Sequence, residues 1–559
     1  MDPNSWAYQQ KVIDDEILAL KHRRNALAPI SSTPADIIAV IFFHLRSGDN
    51  ADIQVILRAT HVCHDWRKIA LDRPLLWSHI DFTTITPAGA TEVLARAGTV
   101  PLFLEATARL HHWSNARLLA FQKELQNHIP KVYHLRITAA HSRLDKTLER
   151  LVSPAPILEH LLLDADESEP LQASVPDTLF DGSTPKLSSL HLSSCDISWK
   201  SPLLKGLTDL EIITLSAGAR PILTDWLDAL DKMSQLERLS LHSASPFARQ
   251  FPIEVERTIT LPLLAELDIS ASAAECALML AHLSLPALTS LSIAATSNRS
   301  AIKKLLPFVV QHAHGPQDTE PLCSALVHTD STQVGVTAWL SPHIGLPEWS
   351  ADLSARVVLY VESEVNDLND RSGIIEDTLD ALPFDHLITL TISSHTREID
   401  EGFWCHYIPQ WPLLTHVHLA GPSATAFILE LRDFGSHYSH SKGPHLTLLT
   451  NLELIGVELT DIKVEWLCEM LLKRVEQGVP LQLLDLHTCY ASCYIESLAI
   501  VRKLREFVID VQAPTTEMPF SPVVSDEDSG GDEDSDGEED SDADEDLDAD
   551  EDSDTDVNN

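Results

Sequence analysis

The chain has 559 residues, and 83 Asp and Glu against 40 Lys and Arg give a formal net charge of −43 at pH 7. This charge argues against a nucleic-acid-binding protein, which needs a basic footprint, and against a polybasic membrane anchor. No apolar run is long enough to span a membrane, and the N-terminus lacks the apolar core of a signal peptide. Eight scattered cysteines do not form a disulfide framework. We therefore expect a protein of the cytoplasm or nucleus, with neither nucleic acid nor membrane among its partners.

Residues 1–28 are expected to form an N-terminal amphipathic helix. Ile13, Ile17, Leu20 and Leu27 recur at helical spacing, and Pro29 ends the pattern. Two interpretations remain open. The helix packs on its own domain, or it forms a dimerisation zipper whose seam Arg24 interrupts.

Residues 29–80 are expected to form a small helical domain. Ser32 or Thr33 is suited to capping a first helix, whose apolar positions make a face wider than one neighbouring helix requires. A second helix is predicted over 53–59, and a third should place Val62, Trp66 and Ile69 on one face. Three short helices bury little surface, so such a unit needs a partner or the rest of the chain.

The stretch from residue 34 to residue 77 resembles an F-box. The resemblance is carried by three segments, Pro34-Ala35-Asp36-Ile37-Ile38, Val62-Cys63-His64-Asp65-Trp66 and Pro74-Leu75-Leu76-Trp77. Two positions depart from the family pattern, since Thr33 stands where Leu is usual and Asp36 where Glu is more common. The preceding helix resembles the leader of mushroom-type fungal F-box-like proteins.

This resemblance implies a substrate-recognition subunit of an SCF-type cullin-RING ubiquitin ligase. The F-box would dock on a Skp-type adaptor, which joins the cullin scaffold, and the remainder would bind an unknown protein substrate. The implied adaptor-binding residues are Pro34, Ile37, Ile38, Ile41, Leu57, Val62, Cys63 and Trp66. Two alternatives remain open, that these residues only pack the helical core, and that the chain is a protein-interaction scaffold without a ligase role.

Residues 81–512 are expected to form an irregular leucine-rich-repeat horseshoe, with an unrelated α/β domain as the alternative. An apolar-x-x-apolar-x-apolar motif recurs twelve times, and the first seven copies start 26, 29, 23, 26, 28 and 24 residues apart. Two of the twelve copies are Leu210, Ile213 and Leu215, and Leu504, Phe507 and Ile509. Cys195 and Cys489 stand three residues after a motif, where leucine-rich repeats carry Asn or Cys. The repeat spacing is lost over 294–386, where a loop is expected in HAHGPQDTEPLCSALVHTDSTQ and a strand in ARVVLYVESE. The predicted fold is thus an α/β (α+β) solenoid that follows a small all-α domain.

Residues 513–559 are expected to be a disordered acidic tail. From residue 525 onward there are 20 Asp and Glu and no Lys or Arg, so the segment has little apolar surface to bury. The tail is either solubilising or regulatory. In the second case its candidate phosphorylation sites are Ser525, Ser529, Ser535, Ser541 and Ser553, each with an acid three residues on.

The sequence shows no pattern typical of catalysis. Neither a phosphate-binding loop, nor GxSxG, nor HExxH occurs, and the cysteines and histidines lack the paired spacing of a zinc site. Cys489 and Cys493 are one residue too far apart for a redox CxxC motif. We therefore predict no catalytic residue, no metal and no cofactor.

Overall fold

The computed structural model describes residues 6–46, 53–107, 113–165, 172–245, 257–313, 321–342, 355–363, 368–394, 399–433, 446–490 and 494–513. The chain divides into two units, residues 1–517 and 518–559. The second unit lies outside the described residues. The five candidate phosphorylation sites of the tail therefore also lie outside them.

Helices and strands alternate along most of the described chain. The helices are α1 Trp6–Ala26, α2 Ala35–Leu45, α3 Ile53–Thr60, α4 His64–Leu71, α5 Pro87–Ala97, α6 Asn115–His128, α7 His141–Leu148, α8 Leu223–Leu230, α9 Ala273–Ala281, α10 Arg299–Ala313, α11 Leu368–Ala381, α12 Glu401–Tyr407, α13 Pro422–Asp433, α14 Asp461–Glu476 and α15 Tyr494–Leu504. The strands are β1 His79–Asp81, β2 Leu102–Ala106, β3 Val132–Ala139, β4 His160–Ala165, β5 Ala173–Ser174, β6 Ser189–Ser193, β7 Cys195–Asp196, β8 Asp209–Ile213, β9 Arg238–His242, β10 Ile259–Thr260, β11 Glu266–Ser272, β12 Leu283–Ser284, β13 Ser290–Ser297, β14 Ser324–Thr329, β15 Gln333–Trp339, β16 Val357–Ser363, β17 Thr389–Ser394, β18 His416–Ala420, β19 Asn451–Ile455, β20 Leu483–Asp485 and β21 Asp510–Gln512.

Seventeen of the described strands form one open sheet. Their spatial order is β1-β2-β3-β4-β6-β8-β9-β11-β13-β16-β15-β14-β17-β18-β19-β20-β21. All pairings are parallel except the two made by β15, which runs antiparallel to both neighbours. The molecule is therefore a mixed α/β protein with a large, mostly parallel sheet, which confirms the fold class at that level.

Leucine motifs supply the buried side of most strands. In β4, for example, Leu161 and Leu163 are fully buried, whereas His160, Leu162 and Asp164 between them are half-buried. This alternation follows from the two-residue period of a strand. The side chains that point away from the buried ones form what we call the open face of the sheet.

Two motif registers in the sequence prediction are wrong. In β8 the buried residues are Leu210 and Ile212, preceded by buried Leu207, whereas the sequence favoured a triplet of Leu210, Ile213 and Leu215. At the end of the chain, Val508 and Val511 are buried and Ile509 is 81% exposed, although the predicted triplet was Leu504, Phe507 and Ile509. In both segments adjacent aliphatic residues fit the motif in two registers, and only strand pairing decides between them.

Cys195 and Cys489 each follow a strand of the seventeen-stranded sheet, β6 and β20, without belonging to that sheet. Each thiol is buried and bonds to a carbonyl of an adjacent strand, with Sγ–O distances of 3.7 Å to Leu163 and 3.0 Å to Leu454. Burial raises the pKa of the Cys489 thiol to about 12 and raises that of Cys195 as well. A thiolate is therefore disfavoured at both positions, which act as small buried hydrophobes with a weak donor.

The segment with the broken rhythm contains strands β14 to β16. A hairpin of β14 and β15 is inserted so that β16, although later in the chain, pairs with β13 in parallel, and β14 pairs with β17. The strand predicted at ARVVLYVESE is β16, and the predicted loop falls partly on β14. On the open face, Leu326, Trp339 and Val358 form a second apolar cluster apart from the main core.

The boundary predicted between the helical domain and the repeats falls inside β1. Ile80 of β1 is fully buried in the same core that contains Ile38 at one end and Val511 at the other. The amide of Phe103 in β2 donates to the Ser78 carbonyl, 2.9 Å away, which ties the two parts together. The helical segment 29–80 is therefore continuous with the sheet rather than a separate folding unit.

Helix α1 covers Trp6–Ala26 of the segment 1–28 that was expected to be helical, and it is not amphipathic. None of its residues is buried, and its apolar side chains are distributed around the axis rather than along one face. In the described residues, contact of α1 with its own domain is limited to side chains that are not buried, such as His22, whose ring centroid lies 5.1 Å from that of His64.

No helix in the described parts of the chain combines the length and the apolar character that crossing a bilayer requires.

Candidate functional site

Helix α2 has apolar side chains on two opposite sides. Its inner side buries Ile38 and Phe42, one helical turn apart, in the core that α3 and α4 complete. Its outer side carries Ile37, Val40, Ile41 and Leu45, which are 38–51% exposed. We call these four residues the outer face of α2. The spacing of i, i+3, i+4 and i+8 places them on one continuous stripe.

The inner side of α2 is anchored by two tryptophans. The Trp66 ring meets the Phe42 ring edge-on, with centroids 5.3 Å apart. Trp77 is fully buried, and its indole N–H donates to the Ala70 carbonyl at 2.8 Å. The core beneath α2 is therefore filled and hydrogen-bonded, so the outer face is not needed to close it.

Two arginines hold the turn at residues 73–77 beside α2. Arg73 forms an ion pair with Asp36 in the first turn of α2, and Arg46 at its C-terminal end donates to the carbonyl of Leu76. Burial lowers the pKa of Arg46. The turn brings Leu75, which is half exposed, close to the same helix.

The structure separates the eight predicted adaptor-binding residues into three groups. Ile38 is buried in the core, and Leu57, Cys63 and Trp66 are half-buried against it. The exposed members are Pro34, Ile37, Ile41 and Val62. Direct access for a partner is therefore limited to the last four and to the exposed edges of the half-buried residues.

Two details of the local prediction are wrong. Pro34, and not Ser32 or Thr33, is the N-cap of α2. Its carbonyl accepts the amides of Ile37 and Ile38 at 3.0 and 3.1 Å. Val62 does not share a helical face with Trp66, because α4 begins only at His64. Instead Cys63 caps α4, and its sulfur accepts the Trp66 amide at 3.4 Å.

The implied adaptor-binding set leaves out four exposed aliphatic residues of this region, namely Val40, Leu45, Leu71 and Leu75. The sequence did contain a signal for the first two, since the apolar face of α2 was wider than one neighbour needs. Family motif positions gave no indication of any of the four. Large exposed apolar patches on a folded protein mark interaction sites.

Two groups of side chains in the described residues have donor atoms close enough to share a metal ion. They are His22, His64 and Asp65, and Glu453, Asp485 and His487. The carboxylate of Asp485 lies 2.6 Å from Nδ1 of His487, and Glu453 pairs with His418 on the next strand. Neither group matches a pattern that the sequence alone indicated.

The chain matches no protein-family model and no curated protein.

Proposed function

We propose that this chain is the substrate-recognition (F-box) subunit of an SCF-type cullin-RING ubiquitin ligase. The observation that carries the proposal is the outer face of α2, four large aliphatic side chains left exposed beside a complete core. Such a face has the character expected of a docking site for a partner. It lies within the segment whose motifs resemble an F-box, and Ile37 and Ile41 belong both to this face and to the implied adaptor-binding set.

In this proposal the sheet is a degenerate leucine-rich-repeat array that binds substrate. Support comes from the leucine motifs, which supply the buried side of successive parallel strands, and from the equivalent hydrogen bonds of Cys195 and Cys489. Stacked units of this kind bury a common core that no single unit could form.

The proposed mechanism is proximity. The receptor would hold substrate lysines near a charged conjugating enzyme elsewhere in the complex and raise their effective concentration there. The chain itself would contribute binding surfaces, and the chemistry would belong to its partners.

The test is co-purification of the tagged full-length chain with a Skp-type adaptor and cullin. Ile41→Asp puts a charge on the outer face of α2 without touching the core, and we expect it to reduce adaptor recovery more than tenfold, because a buried carboxylate would face apolar groups of the partner. The matched control is Leu119→Asp, which changes an aliphatic residue of α6 that is 50% exposed. We expect this control to recover adaptor as the unaltered chain does.

Circular dichroism must show both variants folded. A folded Ile41→Asp protein that still recovers adaptor would remove the outer face of α2 from the docking site. Absence of adaptor and cullin with the unaltered chain would rule out the ligase proposal and favour a scaffold without a ligase role.

A further inference from the structure

The open face of the seventeen-stranded sheet carries charge of almost one sign. Its strands contain eleven acidic residues, Asp81, Glu105, Asp164, Asp209, Glu211, Glu266, Asp268, Glu362, Glu453, Asp485 and Asp510. Against them stand two arginines, Arg136 and Arg238, and the strands as described contain no lysine. None of these thirteen side chains belongs to the buried set, so the charge is presented on the open face.

The acidic residues are concentrated at a groove between β6 and β16. It has a volume of about 340 Å³ and includes four carboxylates in its lining, those of Asp209, Glu211, Glu266 and Asp268. Pairing register aligns Asp209 with Glu266 and Glu211 with Asp268, with one residue of β9 between the members of each pair. The groove therefore has two parallel rows of carboxylates.

One of the four groove carboxylates pairs with an arginine, and two pair with histidines. Arg238 pairs with Asp209. His191 lies 2.6 Å from Glu211 and His242 lies 2.9 Å from Asp268, and the hydrogen bond from His191 lowers the pKa of Glu211. For Glu266 the described structure records no ion pair. Three carboxylates, those of Glu211, Glu266 and Asp268, thus remain without a permanently charged partner.

The spacing of the carboxylates fits an extended polypeptide. Asp209 and Glu211 are two residues apart on one strand, as are Glu266 and Asp268, so each couple is separated by roughly 7 Å along the strand. Alternate side chains of an extended peptide have the same repeat. A cleft lined by charges of one sign also concentrates its field, which favours a ligand of opposite charge and repels nucleic acid.

We propose that the open face binds a Lys- and Arg-rich polypeptide segment in extended conformation, with alternate basic side chains placed against the carboxylates of the groove. As an assignment of substrate class this rests on the receptor function proposed above, but the binding itself does not require the adaptor.

The test measures the fluorescence anisotropy of a labelled eight-residue peptide of alternating lysine and serine, titrated with the full-length chain at low ionic strength. The face variant is Glu211→Gln/Glu266→Gln/Asp268→Asn. Its matched control is Glu465→Gln/Glu476→Gln/Glu506→Gln, which removes the same charge from exposed positions near the C-terminal helices. The acidic tail is present in all three proteins, so its contribution cancels in the comparison.

We expect the face variant to bind the peptide about tenfold more weakly than the unaltered chain, and the control to stay within about twofold. A peptide of alternating glutamate and serine should not bind. Equal weakening in the two triple variants, or no binding of the lysine peptide by the unaltered chain, would overturn the proposal.

Folding and the receptor proposal are checked separately. If thermal unfolding shows the triple variant to be destabilised, the single variant Glu266→Lys replaces it. This substitution breaks no ion pair of the described structure, and it should also weaken peptide binding. Retained binding by folded Glu266→Lys would then overturn the proposal. Adaptor recovery should be unchanged in the face variant. An unaltered chain that binds the peptide but recovers no adaptor would count against the ligase function alone.

Discussion

Two histidines on the open face, His134 and His242, have different surroundings and therefore different pKa shifts. His134 stacks on Phe103, with ring centroids 3.9 Å apart and planes inclined by 7°, and lies beside His160. Burial, followed by the charge of His160, lowers the pKa of His134 to about 4. In contrast, the hydrogen bond with Asp268 raises the pKa of His242. Two strands of one sheet, β3 and β9, therefore hold histidines whose pKa values are shifted in opposite directions.

The lowered pKa of His134 predicts acid sensitivity. Its folded pKa of about 4 lies below the unfolded value of about 6.5, so the unfolded chain binds more protons between these values and stability falls as the pH drops through that window. Between pH 7 and pH 4.5 the His134→Gln variant should therefore lose less unfolding free energy than the unaltered chain, by on the order of 2 kcal/mol. The measurement is urea unfolding at both pH values.

The control for this prediction is His61→Gln, which alters an exposed histidine and should leave the pH dependence of unfolding unchanged. If His134→Gln and the unaltered chain lose equal stability on acidification, the stacked histidine is not the origin of the effect.

The sequence predicted only some of the residues that form the outer face of α2. Ile37 and Ile41 were predicted from their motif positions, whereas Val40 and Leu45 of the same face were not. Ile38 was grouped with Ile37, although adjacent residues of a helix point 100° apart and only one of the two is buried. Which side of an all-apolar helix faces the core depends on the neighbouring helices, and the sequence does not contain that information locally.

At the scale of elements, α1 and the hairpin of β14 and β15 differ most from expectation. Helix α1 has a regular helical sequence but contributes no buried residue. The hairpin contains strands where the leucine rhythm fails, because its buried positions are filled by valine and alanine, including Val334, Val336 and Ala338. These residues favour strands without matching a leucine motif.

Deletion of residues 1–26 should leave the thermal midpoint of unfolding almost unchanged. The physical reason is that none of the described residues of α1 is buried, so removing the helix exposes little apolar surface. Trp77→Ala serves as the contrasting variant, because loss of a fully buried indole costs about 3–5 kcal/mol.

Differential scanning calorimetry of the three proteins provides the comparison. A fall in midpoint on deletion that approaches the fall caused by Trp77→Ala would show that α1 packs against the rest of the chain.

At the scale of the whole molecule, charge opposes folding. The chain has a net charge of −43, and eleven of its acidic residues lie with two arginines on one side of a single sheet. Repulsion between like charges destabilises the compact state, and salt screens it. We therefore expect the thermal midpoint to rise when NaCl is increased from low ionic strength to about 0.3 M.

The comparison solution is sucrose at equal osmolality, which does not screen charge. A midpoint that falls with NaCl would mean that ion pairs such as Arg238–Asp209 and Arg299–Asp377 outweigh the repulsion.

The sequence by itself determined the elements whose signal is local. The leucine motifs located most strands of the sheet, and apolar spacing located α1 to α4, because alternation along a strand and periodicity along a helix are properties of a few consecutive residues. The same local signals established the acidic balance and the positions of Cys195 and Cys489.

Only the tertiary structure decided which surfaces these elements present. Parallel pairing brought Glu211 beside Asp268 across β9, and insertion of the hairpin placed β16 next to β13. Packing of α3 and α4 on one side of α2 left its other side exposed. Each outcome depends on contacts between residues distant in the chain, where several registers and neighbours satisfy the same local pattern and only the assembled core selects one.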